Sequence, residues 1–187
     1  MFGITLRASS DAEPFWEQVD RASALEPTPS IRALGYPPHI TLARYPEIEP
    51  NRLAEAAKAL GDEEVLSLTF DRISVFDTDP LVVWLSPKRD QRLIDLHGKV
   101  HGIIDPAQCD PHYRPQQWTP HLTIATSIPR ERRLDALELA AQPIEPFSLI
   151  FDVVECVSWP PVRVLRSGLE QARSADIYEA RSDRTTR

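Results

Sequence analysis

The segment Pro38-His39-Ile40-Thr41-Leu42-Ala43 recurs, with two conservative exchanges, as Pro120-His121-Leu122-Thr123-Ile124-Ala125, 82 residues further along the chain. Other blocks keep nearly the same offset. Ser67-Leu68-Thr69-Phe70-Asp71 returns as Ser148-Leu149-Ile150-Phe151-Asp152, 81 residues on, and Leu53-Ala54-Glu55-Ala56-Ala57 lies opposite Leu134-Asp135-Ala136-Leu137-Glu138. Ordered blocks held in register mark an internal duplication. A chain of 187 residues built this way has room for two small lobes sharing a cleft.

Both copies follow one grammar. In the first, Phe2 to Ala8 reads as a strand. Pro14 to Leu25 has the helical spacing of Phe15, Val19 and Ala22, with Ser10 or Asp11 as its cap. His39 to Tyr45 is a strand, Asn51 to Leu60 an Ala-rich helix stopped by Gly61, and Val65 to Phe76 a strand. The second copy runs through strand Leu81 to Ser86, helix Gln91 to Ile104, strand His121 to Ile128, helix Arg130 to Ala141 and strand Phe147 to Trp159. A closing strand spans Val162 to Leu169, and 173–187, short of large apolar residues, reads as a mobile tail. The repeats are thus roughly 1–76 and 81–159 of one bilobal domain, 1–172. The Pro-rich stretches Glu26 to Pro38 and Asp105 to Pro120 read as loops, each leading into a histidine strand.

Strand alternation places His39, Thr41 and Ala43 on one face, with Ile40, Leu42 and Arg44 on the other. His121, Thr123 and Ala125 share a face in the same way, opposite Leu122, Ile124 and Thr126. Each copy therefore offers a packing face and a face carrying an imidazole and a hydroxyl. Two lobes packed about a pseudo-twofold axis would bring the His/Thr faces together. Phosphodiester cleavage needs a base for the attacking oxygen and an acid for the leaving oxygen. Histidine, with an unperturbed pKa of about 6.5, serves either role near neutral pH. Threonine hydroxyls can donate to the non-bridging oxygens.

Two His-x-Thr-x motifs in phase with a duplication resemble the 2H phosphoesterase superfamily, and most nearly its 2′-5′ RNA ligase (RNA 2′,3′-cyclic phosphodiesterase) branch. The segments Ile73-Ser74-Val75-Phe76, Leu81-Val82-Val83-Trp84-Leu85 and Trp118-Thr119-Pro120-His121 add to the likeness, which runs from Phe2 to about Leu169. The resemblance implies an α+β fold: two lobes of antiparallel sheet lining a central cleft, with helices outside. It implies hydrolysis of a 2′,3′-cyclic phosphate, often to a 2′-phosphate, without a metal or other cofactor. By motif position His39 and His121 would be the catalytic pair, and Thr41 and Thr123 the phosphate-binding pair. Resemblance to members that leave a 2′-phosphate points to His39 as acid and His121 as base. Two other readings of the same fold are a module that binds nucleotides or RNA ends without turnover, and 2′-5′ RNA ligation.

Around the motifs, Tyr36, Tyr113 and Trp118 are placed either to stack on a base or to brace the Pro-rich loops. Arg114 is the loop cation best placed for a second phosphate, whereas alternation turns Arg44 away from His39 toward an acid or the surface. His97 and His101, four apart on a helix, read as a solvated face. His112 follows Cys109 and Asp110, but Cys-x-x-His alone recurs by chance as a metal pattern. A net charge of −7 argues against a broad basic surface for long nucleic acid. The expected partner is a nucleotide, a short RNA bearing a cyclic phosphate, or an ADP-ribose cyclic phosphate, with no obligate protein partner. Two cysteines fit a reducing cytoplasm, and neither a membrane-spanning run nor a signal peptide is visible.

Overall fold

The computed structural model describes residues 1–9, 12–60 and 65–167. The first strand, β1 (Phe2–Ala8), leads to α1 (Glu13–Ser23), a short α2 (Ser30–Leu34), β2 (His39–Tyr45), α3 (Pro50–Leu60) and β3 (Leu66–Phe76). The second half follows as β4 (Leu81–Pro87), α4 (Gln91–Ile103), β5 (Leu122–Ile128), α5 (Arg133–Ala141) and β6 (Phe147–Ser158), then β7 (Arg163–Ser167). Between α4 and β5 the chain makes two 3-10 turns, Pro106–Gln108 and Pro111–Tyr113. Helix α2 falls within a stretch that the sequence reads as loop; its five residues are too few to show a helical period. The expected caps Ser10 and Asp11, the stop at Gly61 and the tail 173–187 lie outside the described residues, as do the last two residues of the closing strand.

The strand pairings are all antiparallel. Each lobe holds three strands, and each borrows its third from the other repeat. One lobe is β2-β1-β6, extended by β7 along the end of β6; the other is β5-β4-β3. The borrowing extends to the helices: α1 packs on β5 and α4 on β2, while α3 packs on β6 and α5 on β3. The lobes join at two seams. β2 meets β5 at Ile40 and Leu122, and β3 runs beside β6 around Leu68 and Leu149. Both pairs are residues facing their own repeat equivalents, 82 and 81 apart, which is where a pseudo-twofold axis must pass.

One apolar core serves the whole assembly, running from Ile4 and Phe15 through Leu53, Leu68 and Leu85 to Val100, Ile124 and Phe151. A carboxylate fixes the approach to the first histidine strand. Glu26 Oε1 accepts from the Thr126 and Ser127 amides at 2.9 and 2.8 Å, and from the Ser127 and Ser30 hydroxyls. This pins the α1–α2 connection to the end of β5. Burial pushes the Glu26 carboxyl up, but the Ser30 and Ser127 bonds more than offset this and hold it below the usual value.

Leu68 is only 1% exposed and sits on the β3–β6 seam. Leu68→Ala is expected to cost about 2–5 kcal/mol in urea unfolding, the range for deleting a fully buried leucine side chain. A loss below about 1 kcal/mol would show that the seam is not part of the common core.

Candidate active site

The two histidines each stand one residue before the Ile40–Leu122 pair. They are therefore close enough for the charge of one to bear on the other. His39 Nδ1 is 2.9 Å from the carbonyl of Pro37, and His121 Nδ1 is 2.7 Å from that of Thr119. A carbonyl only accepts, so each Nδ1 carries the proton and each neutral ring keeps its lone pair on Nε2. The same contact in both copies fixes the same tautomer.

Next to each motif the strand contains a β-bulge, which overturns simple alternation. Thr5 pairs with Thr41 but Ile4 pairs with Ala43, so Leu42 is the extra residue. In the second copy Trp84 pairs with Thr123 and Val83 with Ala125, so Ile124 is extra. An extra residue reverses the facing of everything after it. Ala43 and Ala125, expected beside the histidines, are instead fully buried. Arg44 and Thr126, expected on the far face, line the cleft cavity with His121 and Thr123. The cavity measures about 350 Å³ and is also walled by Phe76, Tyr113 and Gln117. Thr41 and Thr123 are both half-buried on the histidine face.

Arg44 does pair with an acid, as one of its expected roles had it, but within the cleft. It donates to Asp110 Oδ2 through Nη2 (2.5 Å) and Nε (3.1 Å), and lies 5.1 Å from the Tyr113 ring centroid. Its carbonyl accepts from the Asp110 amide and the Cys109 thiol, so the loop is docked onto Arg44 at both ends. Burial pushes Asp110 up; the Arg44 bond and the His112 amide more than offset this and hold it below the ordinary carboxylate range.

The two histidines stand in unlike surroundings. Behind His39, the Glu155 carboxylate is buried with 2% exposure. It pairs with Arg7 Nε at 2.9 Å and accepts the Tyr36 hydroxyl at 2.7 Å. Tyr36 gives away its one proton there, so Thr5, 2.9 Å distant, donates to Tyr36. Burial pushes the Tyr36 phenol up, keeping it neutral. Its ring meets His39 edge-on at 4.8 Å between centroids. Around His121 stand aromatic rings: Phe76 at 5.1 Å, Trp84 at 5.9 Å and Tyr113 at 6.2 Å. Burial lowers both imidazoles from the ordinary histidine value. Glu155 then draws His39 back up, whereas Arg44 pushes His121 further down.

Several expected site residues serve the loop instead. Arg114 spends its guanidinium on the carbonyls of Cys109 and Ala107, so it staples 105–120 together rather than facing the cleft. Trp118 stacks on His97 at 4.0 Å and donates Nε1–H to the Thr41 carbonyl. Tyr36 is buried with its hydroxyl turned inward, leaving Tyr113 as the ring that lines the cavity. His97 and His101 are not a solvated face: His97 is 4% exposed, and both donate Nε2–H to the Tyr113 carbonyl at 2.9 Å. Burial brings His97 down to about 4. Cys109 and Cys156 are both buried, and neither is in a disulfide. Among the described residues no three His, Cys, Asp or Glu side chains are grouped to hold a metal ion, and no helix is long and apolar enough to cross a membrane.

With this geometry in place, similarity to known proteins becomes informative. The family model described as the 2′-5′ RNA ligase superfamily matches residues 11–162. A protein of Oceanobacillus iheyensis with a provisional phosphoesterase name is 28% identical over 123 residues, covering 63% of this chain and 69% of the relative. Among solved structures, a phosphoesterase superposes with a TM-score of 0.55 at 18% identity, covering 89% of this chain and 95% of that one. E. coli LigT complexed with NADP+ gives 0.54 at 16% identity (89% and 91% covered), and LigT complexed with 3′-AMP gives 0.52 at 17% (89% and 94%). These structures share the fold.

The tautomers are directly observable. Long-range proton–nitrogen NMR spectra are expected to report Nδ1–H for His39 and His121 and Nε2–H for His97 and His101, with His97 titrating near pH 4. An Nε2–H form of either His39 or His121 would overturn the site geometry.

Proposed function

The chain belongs to the 2′-5′ RNA ligase superfamily, and we propose that it hydrolyses a 2′,3′-cyclic phosphodiester on a nucleotide or short RNA end, leaving a 2′-phosphate. The observation that carries this reading is the repeated Nδ1–H···O=C bond. It leaves a basic Nε2 on each ring, one from each repeat, and the His121 ring lines a cavity with Thr123 and Arg44. Pure binding has no need of two titrating imidazoles held in one tautomer.

The asymmetry of the surroundings assigns the roles in this reading. Like charge on the two rings is mutually unfavourable, so the pair holds one proton most readily. Glu155 favours the imidazolium at His39, and Arg44 disfavours it at His121. His121 Nε2 then takes the proton of the attacking water as its oxygen bonds to phosphorus. The P–O3′ bond breaks on the opposite side, and His39 Nε2 gives its proton to O3′, so O2′ keeps the phosphate. Thr41 and Thr123 donate to the non-bridging oxygens, and Arg44 offsets their charge. The two imidazoles and these donors carry the reaction without a metal. The acidic chain suits a small ligand better than a long polyanion.

Hydrolysis of 2′,3′-cyclic nucleotides in excess EDTA is expected to match that without chelator. His39→Ala and His121→Ala are each expected to lower kcat by about 10²–10⁴-fold. Chelator-sensitive turnover would refute the two-histidine mechanism, and tight binding with no product by phosphorus NMR would favour a binding module.

Both imidazoles lie below the ordinary histidine value, so kcat/KM is expected to be bell-shaped with its optimum below about pH 6.5. The Glu155 carboxylate raises His39, so Glu155→Gln should move the alkaline limb to lower pH. A limb that moves upward or stays put would remove His39 from the role of acid.

A further inference from the structure

Arg44 is the one permanently charged side chain among the described residues that line the His121 cavity. Its charge does not stand alone. Asp110 Oδ2 accepts from both Nε and Nη2, and Oδ1 accepts from the His112 amide, so the carboxylate is locked against the guanidinium. Both side chains are largely withdrawn from water, with 30% and 19% exposure, and salt screens them less than a surface pair. Asp110 lies below the ordinary carboxylate range, so it is ionised wherever the histidines are functional. Tyr113, whose ring lies against the guanidinium, is pushed up by burial and stays neutral. Arg44 therefore brings hydrogen-bond donors to the cavity with its net charge cancelled.

We propose that Asp110 makes the cleft selective for a singly charged phosphodiester over a doubly charged phosphate monoester, so that the product is released as it ionises. The inference rests on the reading of the site as a cyclic phosphodiesterase. In that reading the loaded cleft is balanced. Arg44 and Asp110 cancel each other, and the one proton held by the histidine pair cancels the single charge of the cyclic diester. Hydrolysis keeps that balance at first. Water gives one proton to His121 as its oxygen bonds to phosphorus, and His39 gives one to the leaving oxygen, so the pair still holds a single proton. The new monoester then loses its second proton near pH 6. The dianion exceeds by one charge what the cleft can match, and in a partly desolvated site that surplus is repelled by the Asp110 carboxylate.

An arginine without such a partner would do the opposite. A free guanidinium binds a phosphate dianion more strongly than a monoanion. Arg44 has already spent Nε and Nη2 on a carboxylate of its own chain. Asp110 is thus a specificity-determining residue that acts through Arg44.

Calorimetric titration at pH 8 and low salt tests this with uridine 2′-phosphate, a dianion there, and its methyl ester, a monoanion. Burial keeps His39 and His121 neutral at this pH, so Arg44 and Asp110 set the difference. Asp110→Asn keeps the shape and an acceptor for the His112 amide but drops the charge. It should tighten the monoester by about tenfold and the methyl ester by less than about threefold. Arg44→Gln, which drops the cation and leaves Asp110, should move the ratio the other way and weaken the monoester more than the ester. A variant that merely disturbs the loop would weaken both ligands alike. That result in Asp110→Asn, or an unchanged ratio, would overturn the proposal. Binding and turnover are separate readouts. A shifted ratio in a protein that hydrolyses no cyclic phosphate keeps the selectivity and removes the hydrolase reading. Hydrolysis with an unchanged ratio does the reverse.

Discussion

The antiparallel pairing of β6 with β1, and its counterpart between β3 and β4, is the constraint on which the molecule rests. Each pairing takes the last strand of one repeat into the sheet of the other. Because β6 is twelve residues long, its first half can pair with β3 while its second half pairs with β7, and β1 runs along its other side. The strands of both lobes are thereby drawn into one sheet around a single axis, and the β2–β5 contact needs only one residue pair to close the arrangement. The positions of His39 and His121 follow from that closure, since each precedes an axis residue.

Much of this was legible in the sequence because duplication reports itself. The offset of 81–82 residues aligned the strands and helices of the two copies, and the His-x-Thr pair marked the strands that meet at Ile40 and Leu122. The α+β architecture with antiparallel sheets is the one that its structural relatives share. What sequence periodicity could not register was the bulge at Leu42 and Ile124. Alternation counts residues, and one unpaired residue inverts every facing beyond it. That inversion concealed Arg44. A sign of it was present in the sequence: Leu42-Ala43 and Ile124-Ala125 are adjacent apolar pairs inside otherwise alternating strands, and both members of each pair are buried.

The 105–120 loop misled for a different reason. Its aromatic and basic residues have the composition of a ligand-binding loop, yet most of them bind the loop to itself or to the scaffold. Arg114 holds two loop carbonyls, Trp118 joins His97 to β2, and His97 and His101 share the Tyr113 carbonyl. Irregular backbone has no ladder to satisfy its carbonyls, so side chains must do so. Composition alone cannot separate a donor spent on the backbone from one offered to a ligand. Glu155 was hidden in the opposite way: a lone acid within an apolar strand carries no pattern, and its importance comes from Arg7 and Tyr36, distant in sequence.

The exchange of third strands also bears on descent. A chain carrying a single repeat would leave the β1 and β3 edges without their partners, exposing backbone groups that invite association. Two such chains could satisfy those edges by trading their third strands about a twofold axis, as a swapped homodimer does. Fusion of the two copies then places the symmetric halves in one molecule and frees them to differ. Only after fusion could one histidine acquire a buried carboxylate and the other an arginine, a difference in surroundings that identical subunits related by exact symmetry cannot reach.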